Sequence, residues 1–255
     1  PHCRSGDLDS VRCAAAVARA AKTQNAMSTQ ITWYGHATLS VETEGYHLLI
    51  DPFFSGNKAA PVSAEQVKAD AILITHGHGD HVGDAIAIAQ RTKAVVISNF
   101  EICNWLKKNG VANLHGQHIG GGYAHPFGYV KLTPALHGCS LPDGSYGGLA
   151  AGFLITTRDG KKLYFAGDTG LFGDMKLIGE GGLDLAALPI GDNYTMGPVD
   201  ALRAVRMLAP RHVIPIHFNT FELIAQDALA WKTQVEAETT AHVQVLKPGD
   251  TFLLN

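Results

Sequence analysis

From residue 30 onward, apolar and polar positions alternate in short runs at 31–34, 38–42 and 47–50, with Glu44-Gly45 as a turn signal between the last two. Period-two alternation predicts strands, so the chain opens as an antiparallel sheet. The pattern then changes to an apolar run at 71–75, a helical stretch at 83–91, a strand at 94–98, and a helix at 99–108 stopped by Asn109-Gly110. The second half repeats this style, with strands at 130–136, 152–157, 162–166, 183–188 and 212–216 and a helix at 199–208. Two similar halves point to two sheets packed face to face with helices outside, an α+β arrangement with one core.

Composition narrows the class. The chain is 255 residues long, 46% hydrophobic and 17% charged, with no long run of apolar residues free of charges or turns. Such a composition describes a globular protein without a membrane span. A net charge of -3, with Lys and Arg scattered, gives no footprint for nucleic acid. Cys3, Cys13, Cys103 and Cys139 form no close pair, and a reducing, cytoplasmic setting fits them. Residues 1–26 lack an uninterrupted apolar core because Arg12 and Arg19 break the alanine-rich stretch. They read as an upstream or appended extension rather than a secretory signal, and residues 27–255 as one domain.

The chemistry concentrates in Thr75-His76-Gly77-His78-Gly79-Asp80-His81, directly after an apolar strand. Three imidazoles and a carboxylate within six residues are costly to bury unpaired. Divalent metals of the zinc type bind this mixture of nitrogen and oxygen well. Alternation lets His76 and His78 point the same way while Asp80 and His81 turn to a neighbouring position, so one segment can serve two ions. Gly77 and Gly79 are expected to clear space beside the metals. Three further candidates follow apolar strands: His137, Asp168 in Phe165-Ala166-Gly167-Asp168-Thr169-Gly170, and His217.

With these residues in view, the sequence resembles the metallo-β-lactamase superfamily over nearly all of residues 30–254. The H-x-H-x-D-H motif is matched by His76, His78, Asp80 and His81, and the remaining ligand positions by His137, Asp168 and His217. The resemblance implies a four-layer αββα sandwich. It also implies one ion on His76, His78 and His137, another on Asp80, His81 and His217, and Asp168 between them. Trp33-Tyr34-Gly35-His36-Ala37-Thr38, Leu49-Ile50-Asp51-Pro52 and Pro215-Ile216-His217-Phe218-Asn219-Thr220-Phe221 are similar to a group of metal-dependent hydrolases related to a sugar-phosphate lactonase and a phospholipase D. That likeness implies metal-assisted hydrolysis more firmly than it implies a substrate. Because Asp168 stands where many true β-lactamases carry cysteine, antibiotic hydrolysis is disfavoured.

Other residues have weaker claims. Asp51 is expected to orient a ligand histidine from behind, against the alternative of an ordinary Asp-Pro turn. His36 and Tyr194 are candidates for the substrate pocket. His115, His118 and His125 lie in a glycine-rich stretch read as a flexible edge of the active site, and Cys139 as a bystander. The expected enzyme is a hydrolase in which Asp80 and Asp168 take part in catalysis on a small ester, lactone or phosphoester, with no serine or cysteine nucleophile. Zinc is the first choice of metal, with manganese and iron also accepted by this donor set. The competing readings are a metal-binding protein without catalysis and a metallo-phosphodiesterase acting on nucleic acid. The partner expected is a small-molecule substrate, with self-association left open.

Overall fold

A computed structural model describes residues 29–255; the extension read at residues 1–26 lies outside them. The first sheet contains β1 (Thr29–Trp33), β2 (Leu39–Thr43), β3 (Tyr46–Ile50), β4 (Ala71–Leu73), β5 (Val95–Asn99), β6 (Leu114–Gln117) and β14 (Thr251–Leu254). The second contains β7 (Gly122–His125), β8 (Gly128–Pro134), β9 (Ala151–Thr157), β10 (Lys162–Phe165), β11 (Leu185–Pro189), β12 (His212–Ile216) and β13 (His242–Val243). Their orders are β14-β1-β2-β3-β4-β5-β6 and β13-β12-β11-β10-β9-β8-β7. The halves are therefore similar but not sequential, because the last strand returns to pair with the first.

Ile31, Leu39, Leu48 and Ile50 of the first sheet share one core with Leu132, Phe153, Leu163 and Phe165 of the second. Leu49, Ile72 and Val96 point the other way, toward α1 (Gly79–Val82), α2 (Ala85–Thr92) and α3 (Phe100–Lys108). Over the second sheet, α5 (Pro198–Leu208) buries Ala201, Val205 and Leu208, and α6 (Ala228–Glu238) buries Trp231 and Val235. The short α4 (Met175–Gly179) packs against α5. This is the αββα sandwich, with α+β layering.

Strand direction fixes where the site lies. β1 and β2 are antiparallel, as are β2 and β3, while β3 and β4 are parallel. β1, β3 and β4 therefore end at one edge of their sheet. β8 and β9 are antiparallel, as are β9 and β10, and β10, β11 and β12 run parallel. β8, β10, β11 and β12 likewise end together. The residues just past these ends are the ones that carry the chemistry.

Several expectations are corrected. The helix expected at about 83–91 is α2, and a short helix not expected, α1, precedes it from Gly79, with Gly83 at φ 39° between the two. A Cβ at Gly83 would lie 2.4 Å from the Pro52 carbonyl oxygen, so only glycine lets the chain pass there. The stretch holding His115, His118 and His125 contains two strands that were not expected. His115 and His125 sit in strands β6 and β7, and their rings meet around Tyr123.

Candidate metal centre

The six segments that follow β1, β3, β4, β8, β10 and β12 bring two histidine clusters together. In the first, the rings of His76, His78 and His137 lie with centroids 4.6, 4.9 and 5.0 Å apart. In the second, the ligand atoms of His36, Asp80, His81 and His217 all fall within 4.8 Å of one another. Asp168 reaches both. Its Oδ2 is 3.5 Å from His137 Nε2, 3.3 Å from His81 Nε2 and 3.0 Å from His217 Nε2.

The backbone delivering these groups is strained where it turns. His36, Asp51 and His217 all have positive φ, at 54°, 45° and 54°, a region costly for residues other than glycine. Three such residues at the ends of β1, β3 and β12 indicate that the sandwich holds the ligand geometry against local preference. Gly167 serves a related need, since a Cβ there would come within 2.7 Å of the Thr75 Cβ. The glycines of the motif differ in what protein surrounds them. A Cβ at 77 would press on Leu141, and one at 79 would meet nothing.

Hydrogen bonds decide which ring nitrogens are free. Asp51 accepts from the Thr75 amide at 2.8 Å, from the Thr75 hydroxyl at 2.6 Å and from His81 Nδ1 at 2.8 Å. Because the Thr75 hydroxyl hydrogen is given to Asp51, the 3.0 Å contact between Thr75 Oγ1 and His76 Nδ1 has His76 as donor. Both His76 and His81 are thus set with Nδ1–H turned away and Nε2 turned inward. His36 Nε2 donates to Asp80 Oδ2 at 3.0 Å, and its Nδ1 accepts from Thr220 Oγ1 at 2.9 Å. Cys139 is more than a bystander: its Sγ accepts from the Gly77 amide at 3.3 Å and donates to the Gly147 carbonyl at 3.0 Å, tethering the loop between His76 and His78.

Burial and charge act in opposite directions here. Desolvation holds the His76 pKa well below its ordinary value and lowers that of His36 to about 4, so both rings are neutral at pH 7. Desolvation also opposes charge on His81, but the Asp168 and Asp51 carboxylates on either side outweigh it and raise its pKa. Desolvation likewise opposes charge on Asp168 and is overridden by His81 and His217, leaving its pKa well below normal. His81 Nε2, Asp168 Oδ1 and His217 Nδ1 are buried without hydrogen-bond partners. Unpartnered buried polar atoms are costly. Converging imidazole nitrogens around a buried carboxylate are the donor set that divalent cations take, so these residues fit a metal.

All seven residues expected as ligands come together, namely His76, His78, Asp80, His81, His137, Asp168 and His217. Asp51 touches His81 directly. His36 lies inside the second cluster, a place that its isolated position in the sequence did not reveal. Tyr194 is exposed, on a loop whose Met196 amide donates to the Thr169 carbonyl at 2.9 Å. It is absent from the cavity of about 500 Å³ that His36 lines together with Trp33, Phe218 and Leu246.

Two sheets with a histidine and aspartate centre at their shared edge define a metallo-β-lactamase-type fold, and comparison with known proteins agrees. The Beta-lactamase superfamily domain model matches residues 46–218. A UPF0173 metal-dependent hydrolase of Pelotomaculum thermopropionicum is 50% identical over 230 residues, covering 88% of this chain and 100% of the relative. One from Geobacillus sp. is 49% identical over 226 residues, covering 87% and 98%. Among solved structures, Igni18, a metallo hydrolase from Ignicoccus hospitalis, superposes with a TM-score of 0.82 at 38% identity, covering 90% of this chain and 99% of that one. The chain belongs to the beta-lactamase superfamily, in the group of metal-dependent hydrolases represented by these relatives.

Proposed function

We propose that this protein is a hydrolase working with two divalent cations, one held by His76, His78 and His137, the other by Asp80, His81 and His217, with Asp168 reaching both. The observation that carries this reading is the single oxygen Asp168 Oδ2, which stands within 3.5 Å of a histidine from each cluster. Bound divalent ions would supply a water acidic enough to act as a nucleophile near neutral pH and would polarise the scissile carbonyl or phosphoryl oxygen.

The chain's own residues prepare that chemistry. Asp51 fixes the ring nitrogens of His76 and His81 that face inward. Asp80 is held ionised, since the hydrogen bond from His36 and the charge of His81 outweigh the desolvation that opposes its charge. Its Oδ2 accepts from the neutral His36 ring, so Asp80 presents a fixed carboxylate as ligand and proton acceptor. No serine or cysteine nucleophile is required. A purely structural metal protein fits less well, because His78 and Asp80 are half-buried and His137 is 14% exposed, leaving the centre open on one side.

The substrate class is a small ester, lactone or phosphoester. No helix among the described residues is long and apolar enough to cross a membrane. The free thiols Cys103 and Cys139 support a reducing, cytoplasmic setting. Zinc is the first choice of metal, and manganese or iron would suit the same donors. Residues 27–255 would act as one domain. The test is a panel of ester, lactone and phosphodiester substrates assayed after reconstitution with each metal. Turnover that depends on added metal supports the proposal, and no turnover with any metal refutes it.

A further inference from the structure

The segments that surround the centre, 34–38, 51–57, 75–84, 135–141, 167–173, 190–197 and 217–226, contain no Lys or Arg. They do carry acids, among them Asp84, Asp192 and Glu222. A substrate bearing a phosphate or carboxylate away from its reacting bond is normally held by cationic donors, and these loops offer none. Among the side chains they expose are three large apolar ones: Leu136 is 59% exposed, Phe221 45% and Leu223 67%. Leu136 and Phe221 lie on ligand-bearing segments, and the Phe221 ring stands edge-on to His36 at 5.5 Å.

The cavity beside His36 continues this character. Its walls include Trp33 and Phe218, stacked with centroids 5.4 Å apart, together with Leu229, Val245 and Leu246. Its charged members, Asp227 and Lys247, are of opposite sign. The cavity and the centre share one ring, because His36 lies 4.1 Å from the His217 ring and 3.0 Å from Asp80. At about 500 Å³ it is the size of a small-molecule site.

We infer that the substrate is an uncharged ester or lactone with an apolar chain, and that the chain lies in the cavity walled by Trp33, Phe218 and Leu246. This rests on the hydrolase reading and narrows it. In the reaction a water oxygen forms a bond to the carbonyl carbon and the carbon–oxygen ester bond breaks. One proton of the water goes to the departing alkoxide, and the products are a carboxylic acid and an alcohol, joined in one molecule for a lactone.

The test uses the metal-reconstituted full chain and p-nitrophenyl esters from acetate to octanoate, beside esters of similar length that end in a carboxylate. The expected result is a kcat/KM rising about two- to fourfold per methylene, with the carboxylate-ended esters at least about tenfold slower, the cost of leaving a charge unpaired in an apolar site. Leu229→Asp should flatten the chain-length series, lowering kcat/KM for octanoate more than for acetate. Leu229 is 66% exposed, so folding is preserved, and Leu246→Gln provides a second variant.

Binding is read separately on metal-free protein, by the change in Trp33 fluorescence on titration with methyl heptyl ketone, with Trp33→Phe as the blank. Saturable change that Leu229→Asp weakens is expected. A flat chain-length series, equal rates for carboxylate-ended esters, or no saturable fluorescence change overturns the inference. Failure of every carboxylic ester while phosphodiesters turn over overturns the inference alone, and failure of the whole substrate panel in the presence of metal refutes the hydrolase reading instead, while the ketone titration still decides the cavity.

Discussion

Asp51 and His81 are joined by a hydrogen bond of 2.8 Å from the ring Nδ1 to the carboxylate, and through Thr75 the same carboxylate also sets His76. One residue at the end of β3 thus fixes the imidazole orientation of a ligand in each cluster. Asp51→Asn, which is close in shape but offers a donor where an acceptor is needed, is expected to lower metal affinity at both positions, about 10- to 100-fold. Thr75→Val leaves the His81 contact intact and should weaken only the position served by His76. Metal titration by calorimetry separates the two, and equal losses at both positions in Thr75→Val would refute the relay.

Removing Asp168 should affect both ions together. Asp168→Ala leaves two positive charges facing one another without the carboxylate between them, so elemental analysis is expected to find less metal at both positions. Retention of a full metal load would remove the bridging role.

Stripping the metal should leave the fold intact. The ligands come from four strand ends that the sandwich core already positions, and burying one large apolar side chain contributes about 1.5–3 kcal/mol. Ile31, Leu39, Leu48, Phe153, Leu163 and Phe165 are among many so buried, so this chain does not depend on metal as a zinc finger does. Circular dichroism after chelation should therefore match the loaded protein, and a collapsed spectrum would recast the centre as structural.

A pH dependence unrelated to the centre is expected from His125. Desolvation and the neighbouring His115 lower its pKa to about 4, and its Nε2 is buried without a partner. The folded value lies below the unfolded value of about 6.5. Its stabilising contribution is therefore complete above pH 6.5 and is lost as pH falls toward 4. Relative to His125→Phe, the wild type should lose thermal stability between pH 7 and pH 4.5, and parallel curves would contradict this.

The ligand set was legible because each ligand directly follows an apolar strand, a pattern that survives without knowledge of the fold. The antiparallel opening and the helices covering the first sheet were legible for the same reason of periodicity. α6 was not, because its apolar residues Trp231 and Val235 are too sparse to mark a face. Strands β6 and β7 were hidden by glycines, since Gly116 and Gly122 sit inside them and depress strand propensity. His36 was readable as a pocket candidate but not as a contact of Asp80, because that 3.0 Å pairing joins residues 44 positions apart. The role of Cys139 was missed because the Gly77 amide it holds appears only once the loops meet.

The central claim is that two metal ions held by this centre perform hydrolysis, and the most direct measurement follows metal content and ester turnover together through chelation and reconstitution. The account predicts that activity vanishes as metal is removed and returns with zinc, manganese or iron, reaching its maximum as the content approaches two ions per chain. Full activity after verified removal of metal, or a maximum at one ion per chain, would contradict it.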